Sequence, residues 1–227
     1  MTEKTFVNKL ENILIKEGYF SRREVGVGYG IADLVIVKQN SFNIDNCKKR
    51  RGYGQFSKLL SEEYFKVLEQ LPDFEKKVSN VDLNFLIEKT SLSKNYLKYT
   101  ILKDLQNKRF IKITSEGTYF KVNGWVPIVK EVIAIEAKLK DWKRGFIQAN
   151  RYKAFADKAY LAIPKGVEHL VNKSLLKKHG IGLMVLDTTS NMKKIIIPAK
   201  KEKPLNLCKR NFAIEYFWSN KYLKQVA

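Results

Sequence analysis

A chain of 227 residues, 44% of them hydrophobic, is long enough to bury a core and too apolar to be read as disordered. Its charge is the outlier: 43 Lys and Arg against 23 Asp and Glu give +20, a field that draws polyanions, with nucleic acid the first expectation and a membrane surface the second. No apolar run reaches the roughly 18 residues of a spanning helix, and MTEKTFVNKL lacks a signal core, so the reading is a soluble intracellular protein, cytoplasmic and nucleoid-associated if prokaryotic.

Cys47 and Cys208, with only His169 and His179 to join them, show no zinc-site spacing and are expected as two reduced thiols. In TFVNKLENILIKE, Phe6, Leu10, Ile13 and Leu14 recur at helical spacing, with Gly18 where the helix would stop. YFSRREVGVGYGIADLVIVK then predicts two strands joined near Gly26 to Gly30, the second interrupted only by Asp33. QNSFNIDNCKKRRGYGQ is polar, basic and aperiodic, and predicts a linker over 39–54.

In SEEYFKVLEQL, Ser61 is placed to cap a helix whose first turn carries Glu62 and Glu63. A short helix follows in VDLNFLIEKT, a turn at SLS, then a longer helix in KNYLKYTILKDLQNK striped by Leu97, Ile101, Leu102 and Leu105. RFIKITSEGTYFKV alternates on either side of Ser115-Glu116-Gly117 and predicts a hairpin. Together, residues 55–128 resemble a winged helix-turn-helix. That resemblance implies a third helix entering the DNA major groove, with Lys94, Asn95, Tyr96, Lys98 and Tyr99 as contacts, and a hairpin touching the backbone through Lys112 and Lys121. Winged helices also serve as protein–protein modules, which leaves that surface as the alternative.

The chain then returns to sheet. VIAIEAKLK, AYLAIP, GIGLMVLD and KKIIIPAK predict strands, with helices in DWKRGFIQANRYKAFADK, in EHLVNKSLLKKH and near Phe212 to Lys224. Residues 1–38 and 129–227 make one discontinuous α/β domain, a mixed sheet flanked by helices, with the winged helix inserted between its second and third strands. Phe212, Tyr216, Phe217, Trp218 and Tyr222 crowd together as core or as an interface.

Two positions in that sheet carry chemistry. Residues two apart in a strand face the same side, so Glu136 and Lys138 project together, and Asp33 lies in the strand expected to pair with theirs. Two carboxylates on neighbouring strands repel and resist ionisation, and a divalent cation relieves the conflict. Asp33, Glu136 and the Ala137 carbonyl form an oxygen set suited to Mg²⁺, with Mn²⁺ as a substitute, and Lys138 would sit beside the bound water or the scissile phosphate. The competing reading is a solvent-facing Glu136–Lys138 edge pair with Asp33 as a strand-end cap. Because the charges interrupt runs apolar on both sides, the site is favoured.

The acid in GIADLVIV, the E-A-K of IAIEAKLK and the element order resemble the PD-(D/E)XK nuclease superfamily, the restriction-endonuclease-like fold, over residues 1–38 and 129–199. Gln148 and Tyr152 in QANRY resemble the Q-x-x-x-Y element of its recombination-type exonucleases, and Glu11 resembles an extra acid that several members supply from the first helix. Ala32 stands where the superfamily's name has proline. The resemblance implies a Mg²⁺-dependent DNA endonuclease with Asp33, Glu136, Lys138, Gln148, Tyr152 and Glu11 at its active site. Basic segments, Lys48 to Arg51 and Lys143-Arg144, would grip the backbone. The partners implied are duplex or branched DNA, a second copy in a homodimer to cut both strands, and a protein partner in a larger nucleic-acid machine. A non-cleaving DNA-binding regulator or assembly component is the alternative, and RNA cleavage a third. The insertion leaves open whether Asp33 and Glu136 stand in register.

Overall fold

The computed structural model describes residues 1–28, 30–73, 80–122 and 125–219. The chain divides into two compact units, one made of Met1–Phe42 with the residues from Val129 onward, the other of Asn43–Ile128. Among the described residues no helix is long and apolar enough to cross a membrane. Cys47 and Cys208 are both buried free thiols.

The first unit opens with helix α1 (Glu3–Lys16) and the strands β1 (Tyr19–Gly26) and β2 (Ile31–Lys38). The second unit holds α2 (Ile44–Gly52), α3 (Glu62–Gln70), α4 (Leu83–Thr90), a continuous helix formed by α5 (Lys94–Tyr96), a π-helical turn Leu97–Leu102 and α6 (Lys103–Asn107), and the strands β3 (Ile111–Ile113) and β4 (Tyr119–Lys121). The first unit resumes with β5 (Ile133–Ala137), α7 (Trp142–Tyr152), β6 (Lys158–Pro164), α8 (Lys173–Lys178), β7 (Gly182–Asp187), β8 (Met192–Ile197) and α9 (Leu207–Glu215).

In the first unit, six strands form one mixed sheet in the order β1-β2-β5-β6-β7-β8. The pairs β5–β6 and β6–β7 are parallel and the others antiparallel. Each parallel step needs a crossover, and α7 and α8 supply them. One face buries Phe6, Leu10 and Leu14 of α1 against Leu34, Ile36, Ile135 and Ala162. The other buries Ala149 of α7 and Leu176 of α8 against Leu161, Ile163 and Leu183. The predicted order of helices and strands in this unit is the order found.

The second unit carries α3, α4, the long helix and the β3–β4 hairpin in the predicted sequence. Ser61 and Asp82 cap α3 and α4, Ser91 ends α4 in the left-handed conformation, and Gly117 takes φ +81° at the hairpin. Leu97, Ile101, Leu102 and Leu105 are buried as their spacing predicts.

Three expectations are corrected. Residues 39–54 are no linker: Gln39–Ser41 form a 3-10 turn, and α2 follows, capped by Asn43 with Asp45 in its first turn and Lys49, Arg50 and Arg51 in its last. Arg50 is wholly buried, its guanidinium 5.4 Å from the Phe110 ring centroid, so the basic run expected to face DNA is partly internal. The helix in EHLVNKSLLKKH is confined to Lys173–Lys178 because the Asn172 side chain caps it. The final helix, expected near Phe212 to Lys224, runs instead from Leu207, where Asn206 caps it, to Glu215; Lys224 and Tyr222 lie outside the described residues. Phe217 and Trp218 are buried, as a core role requires.

Candidate active site

Strand β5 lies third in the sheet and all five of its residues are buried. Alternation sends Ile135 and Ala137 into the core beneath α1. Glu136 points the other way and meets α7: its Oε2 accepts a hydrogen bond from Tyr152 Oη. Glu136 is 1% exposed and Lys138 8%, which rules out a solvent-facing edge pair.

The register left open by the insertion is resolved. Leu34 pairs with Ile135, Val35 with Ala134 and Ile36 with Ile133, so one further step sets Asp33 opposite Glu136. The ladder stops there. In place of a backbone acceptor, Asp33 Oδ2 takes the Ala137 N–H at 2.8 Å, across 104 positions of sequence.

Lys138 ties the carboxylates together. Its ammonium lies 2.7 Å from Glu136 Oε1 and 3.6 Å from Glu3 Oε2, at the start of α1. Burial pushes the Asp33 carboxyl above its usual range, with the Ala137 N–H and Lys138 pulling back and Glu3 and Glu24 pushing further. Glu136 is raised for the same first reason, only partly offset by its bonds to Lys138 and Tyr152. Burial acts to lower Lys138, but Glu136, Asp33 and Glu3 outweigh it and hold the ammonium protonated above its ordinary value. Lys138 is therefore a cation and hydrogen-bond donor here, not a general base. Tyr152 is raised by burial and by Glu136. Its hydroxyl also donates to Ile31 O at 2.8 Å, and one proton serves one acceptor at a time.

Glu3 is the residue that sequence reasoning missed. With Asp33, Arg23 and Glu24 it lines a cleft of about 220 Å³. Glu11, the acid expected from this helix, is instead engaged by Arg23 and by Ser21 Oγ, the latter at 2.5 Å. Glu11→Ala is thus expected to destabilise the fold by about 1–3 kcal/mol and to leave any catalysis at the cluster unchanged. Glu3→Ala should do the reverse, since Glu3 is 52% exposed at its side chain. Denaturant melts beside activity measurements on the two variants separate these roles.

Gly145 was also missed. It lets α7 approach β5 and β6 so closely that an added Cβ would fall 2.6 Å from Leu161 Cδ1 and 2.8 Å from Lys138 Cγ. In Gly145→Ala, helix propensity contributes about 1 kcal/mol, while overpacking costs roughly 1–3 kcal/mol. The expected result is a slightly less stable protein whose Lys138 is displaced, so that any catalysis at the cluster falls by more than the change in melting temperature would explain.

Gln148, on the same helix, has a buried Oε1 with no hydrogen-bond partner among the described residues. Lys143 and Arg144 are exposed near the N-terminus of α7. In the second unit, Lys94, Asn95, Tyr96, Lys98 and Tyr99 are exposed, as is Lys112, whereas Lys121 is drawn to Asp73 at 3.4 Å.

Asp33, Glu136 and the Ala137 carbonyl are the hard oxygen donors that Mg²⁺ or Mn²⁺ prefers. Among the described residues no group of three or more His, Cys, Asp or Glu is placed to hold a metal ion. The donor chemistry fits a divalent cation whose remaining positions fall to water or a bound phosphate. No protein-family model, curated protein or solved structure matches the chain.

Proposed function

We propose that the protein is a metal-dependent DNA endonuclease: a restriction-endonuclease-like nuclease unit of PD-(D/E)XK type carrying an inserted winged helix-turn-helix. One observation carries the reading. Asp33 and Glu136 stand opposite each other on neighbouring buried strands, both raised, with Lys138 between them and Glu3. Burying ionisable groups in this way works against stability, so such a cluster is expected where chemistry needs it.

Asp33, Glu136 and the Ala137 carbonyl would hold Mg²⁺, which when bound supplies a water acidic enough to attack and neutralises phosphate charge. The protein's own part is positional. Asp33 is fixed by the Ala137 N–H, Glu136 is oriented by Tyr152, and Lys138 presents a positive charge between Glu136 and Glu3. Held beside those two carboxylates, that charge can orient the attacking oxygen and offset charge that develops on the phosphate. Lys143 and Arg144 offer backbone contacts that add affinity without sequence preference.

A non-cleaving DNA binder is the second reading, favoured by one observation: both oxygens of Glu136 are already engaged, by Lys138 and by Tyr152. A supercoiled plasmid separates the two. With Mg²⁺ or Mn²⁺ the native chain should nick or linearise it, and Lys138→Ala should bind DNA equally but cut it roughly 100- to 1,000-fold more slowly. Binding that is indifferent to metal, with no cutting of any DNA form, would replace the nuclease by the binder.

A further inference from the structure

Within the second unit, Lys94 to Lys103 contain no carboxylate. The exposed side of this helix presents three lysines, Lys94, Lys98 and Lys103, and two tyrosines, while Leu97, Ile101 and Leu102 are buried behind it. Tyr96 is 40% exposed and Tyr99 62%. Three residues apart, they share one side of the helix. The Lys98 ammonium lies 5.2 Å from the Tyr99 ring centroid. Both tyrosines flank or enter the π-helical turn Leu97–Leu102, a distortion that regular packing disfavours and that is concentrated at functional sites.

The chemistry of this face decides what it binds. Sequence readers of the major groove favour planar forked groups: the Arg guanidinium on guanine, the Asn or Gln amide on adenine, where a Lys ammonium is a point charge. Here there is no Arg and no Gln, and Asn95 is the one forked amide from Lys94 to Lys103. What the face offers instead is flat aromatic surface among ammonium groups. In a paired duplex the faces of the bases are covered by their neighbours, so a ring has little to stack on. An unpaired base leaves its face open, and stacking on an aromatic side chain is sequence-tolerant.

We propose that this face binds DNA through unpaired bases, which stack on Tyr96 and Tyr99 while Lys94, Lys98 and Lys103 hold the adjoining phosphates. The preferred DNA is then tailed, bubbled or branched rather than fully paired. The inference rests on the nucleic-acid part of the function proposed above and names the structural class of its substrate.

The test is fluorescence anisotropy in EDTA, where nothing is cut, using the full chain with a labelled paired duplex and the same duplex carrying a single-stranded tail. The native protein should bind the tailed DNA more tightly. Tyr99→Ala should weaken binding to the tailed DNA roughly tenfold and to the paired duplex by less than about twofold. Tyr99→Phe, which keeps the ring, should match the native protein, and unchanged melting curves would show that all variants fold. Equal affinity of the native chain for both DNAs, or equal losses on both in Tyr99→Ala, overturns the proposal. No binding to either DNA overturns it together with the endonuclease reading. A tail preference that depends on Tyr99 in a protein that never cuts with Mg²⁺ sinks the endonuclease alone.

Discussion

Asp33→Asn is expected to abolish metal-dependent cleavage and, at the same time, to raise the melting temperature at neutral pH. The loss follows from exchanging a charged oxygen donor for a neutral amide: cutting should fall at least roughly 100-fold, the upper end of what altering even an outer-shell partner of a metal costs. The gain follows from the raised Asp33 carboxyl. A folded-state pKa above the unfolded value means that the fold holds the proton more tightly than the unfolded chain does. The stability from this group is complete below its ordinary value of 3.8 and is lost as pH rises through the elevated folded value. At neutral pH the ionised Asp33 is therefore a net burden. Asparagine removes that burden and still offers an oxygen to the Ala137 N–H. The advantage of the variant should be full at neutral pH and vanish below about pH 4. Asp33 is the cleaner probe of the pair, because Glu136→Gln would strand the largely buried Lys138 ammonium. Added Mg²⁺ should raise the melting temperature of the native chain and not of the variant. A variant that melts lower than the native protein at neutral pH would mean that Lys138 compensates the Asp33 charge, and the argument that this cluster is held against stability would fail.

The sheet was legible in the sequence because its strands are short β-branched runs closed by turn residues, and because α1 and α7 carry clear apolar stripes. The Asp33 and Glu136 pairing was legible as chemistry but not as geometry: two segments 104 positions apart carry no local record of their register. Helix α2 was missed for a different reason. Its buried positions are Cys47 and Arg50, so no apolar stripe marks it, and Arg50 is accommodated by the Phe110 ring and the Ser57 carbonyl rather than by hydrophobicity. Glu3 and Glu11 share one face of α1, and periodicity cannot say which of them reaches the cluster. That choice depends on how the helix docks on the sheet, and Arg23 on β1 settles it by claiming Glu11. Gly145 gave no signal because a glycine in a helix reads as a weakness until the close approach of Lys138 is seen.

Excision of residues 43–128 is expected to leave a folded first unit that, on the function proposed above, has lost most of its grip on DNA. The chain leaves and re-enters the first unit at neighbouring points: Phe42 and Val129 form an antiparallel bridge, and the Lys130 N–H donates to Ser41 O at 2.8 Å. An Asn-Gly turn joining Phe42 to Val129 would restore the tight hairpin that this geometry allows. Both core clusters flanking the six-stranded sheet are drawn from residues of the first unit. A unit with its own core is expected to fold alone, so the shortened chain should melt cooperatively. The Asp33, Glu136 and Lys138 cluster should survive, because every partner described for it, from Glu3 to Tyr152, belongs to the same unit. Affinity should not survive. If Lys94, Lys98 and Lys103 hold phosphates as proposed, removing them takes those contacts away, and each one lost lowers the slope of log affinity against log salt by about 0.9. A loss of roughly tenfold or more at moderate salt is expected, with residual cutting only at low salt or high protein concentration. If the shortened chain binds DNA as tightly as the native one, the lysines and arginines of the first unit, Lys143 and Arg144 among them, carry the binding. The inserted unit would then serve selection of DNA structure alone, and the tail preference should disappear with it.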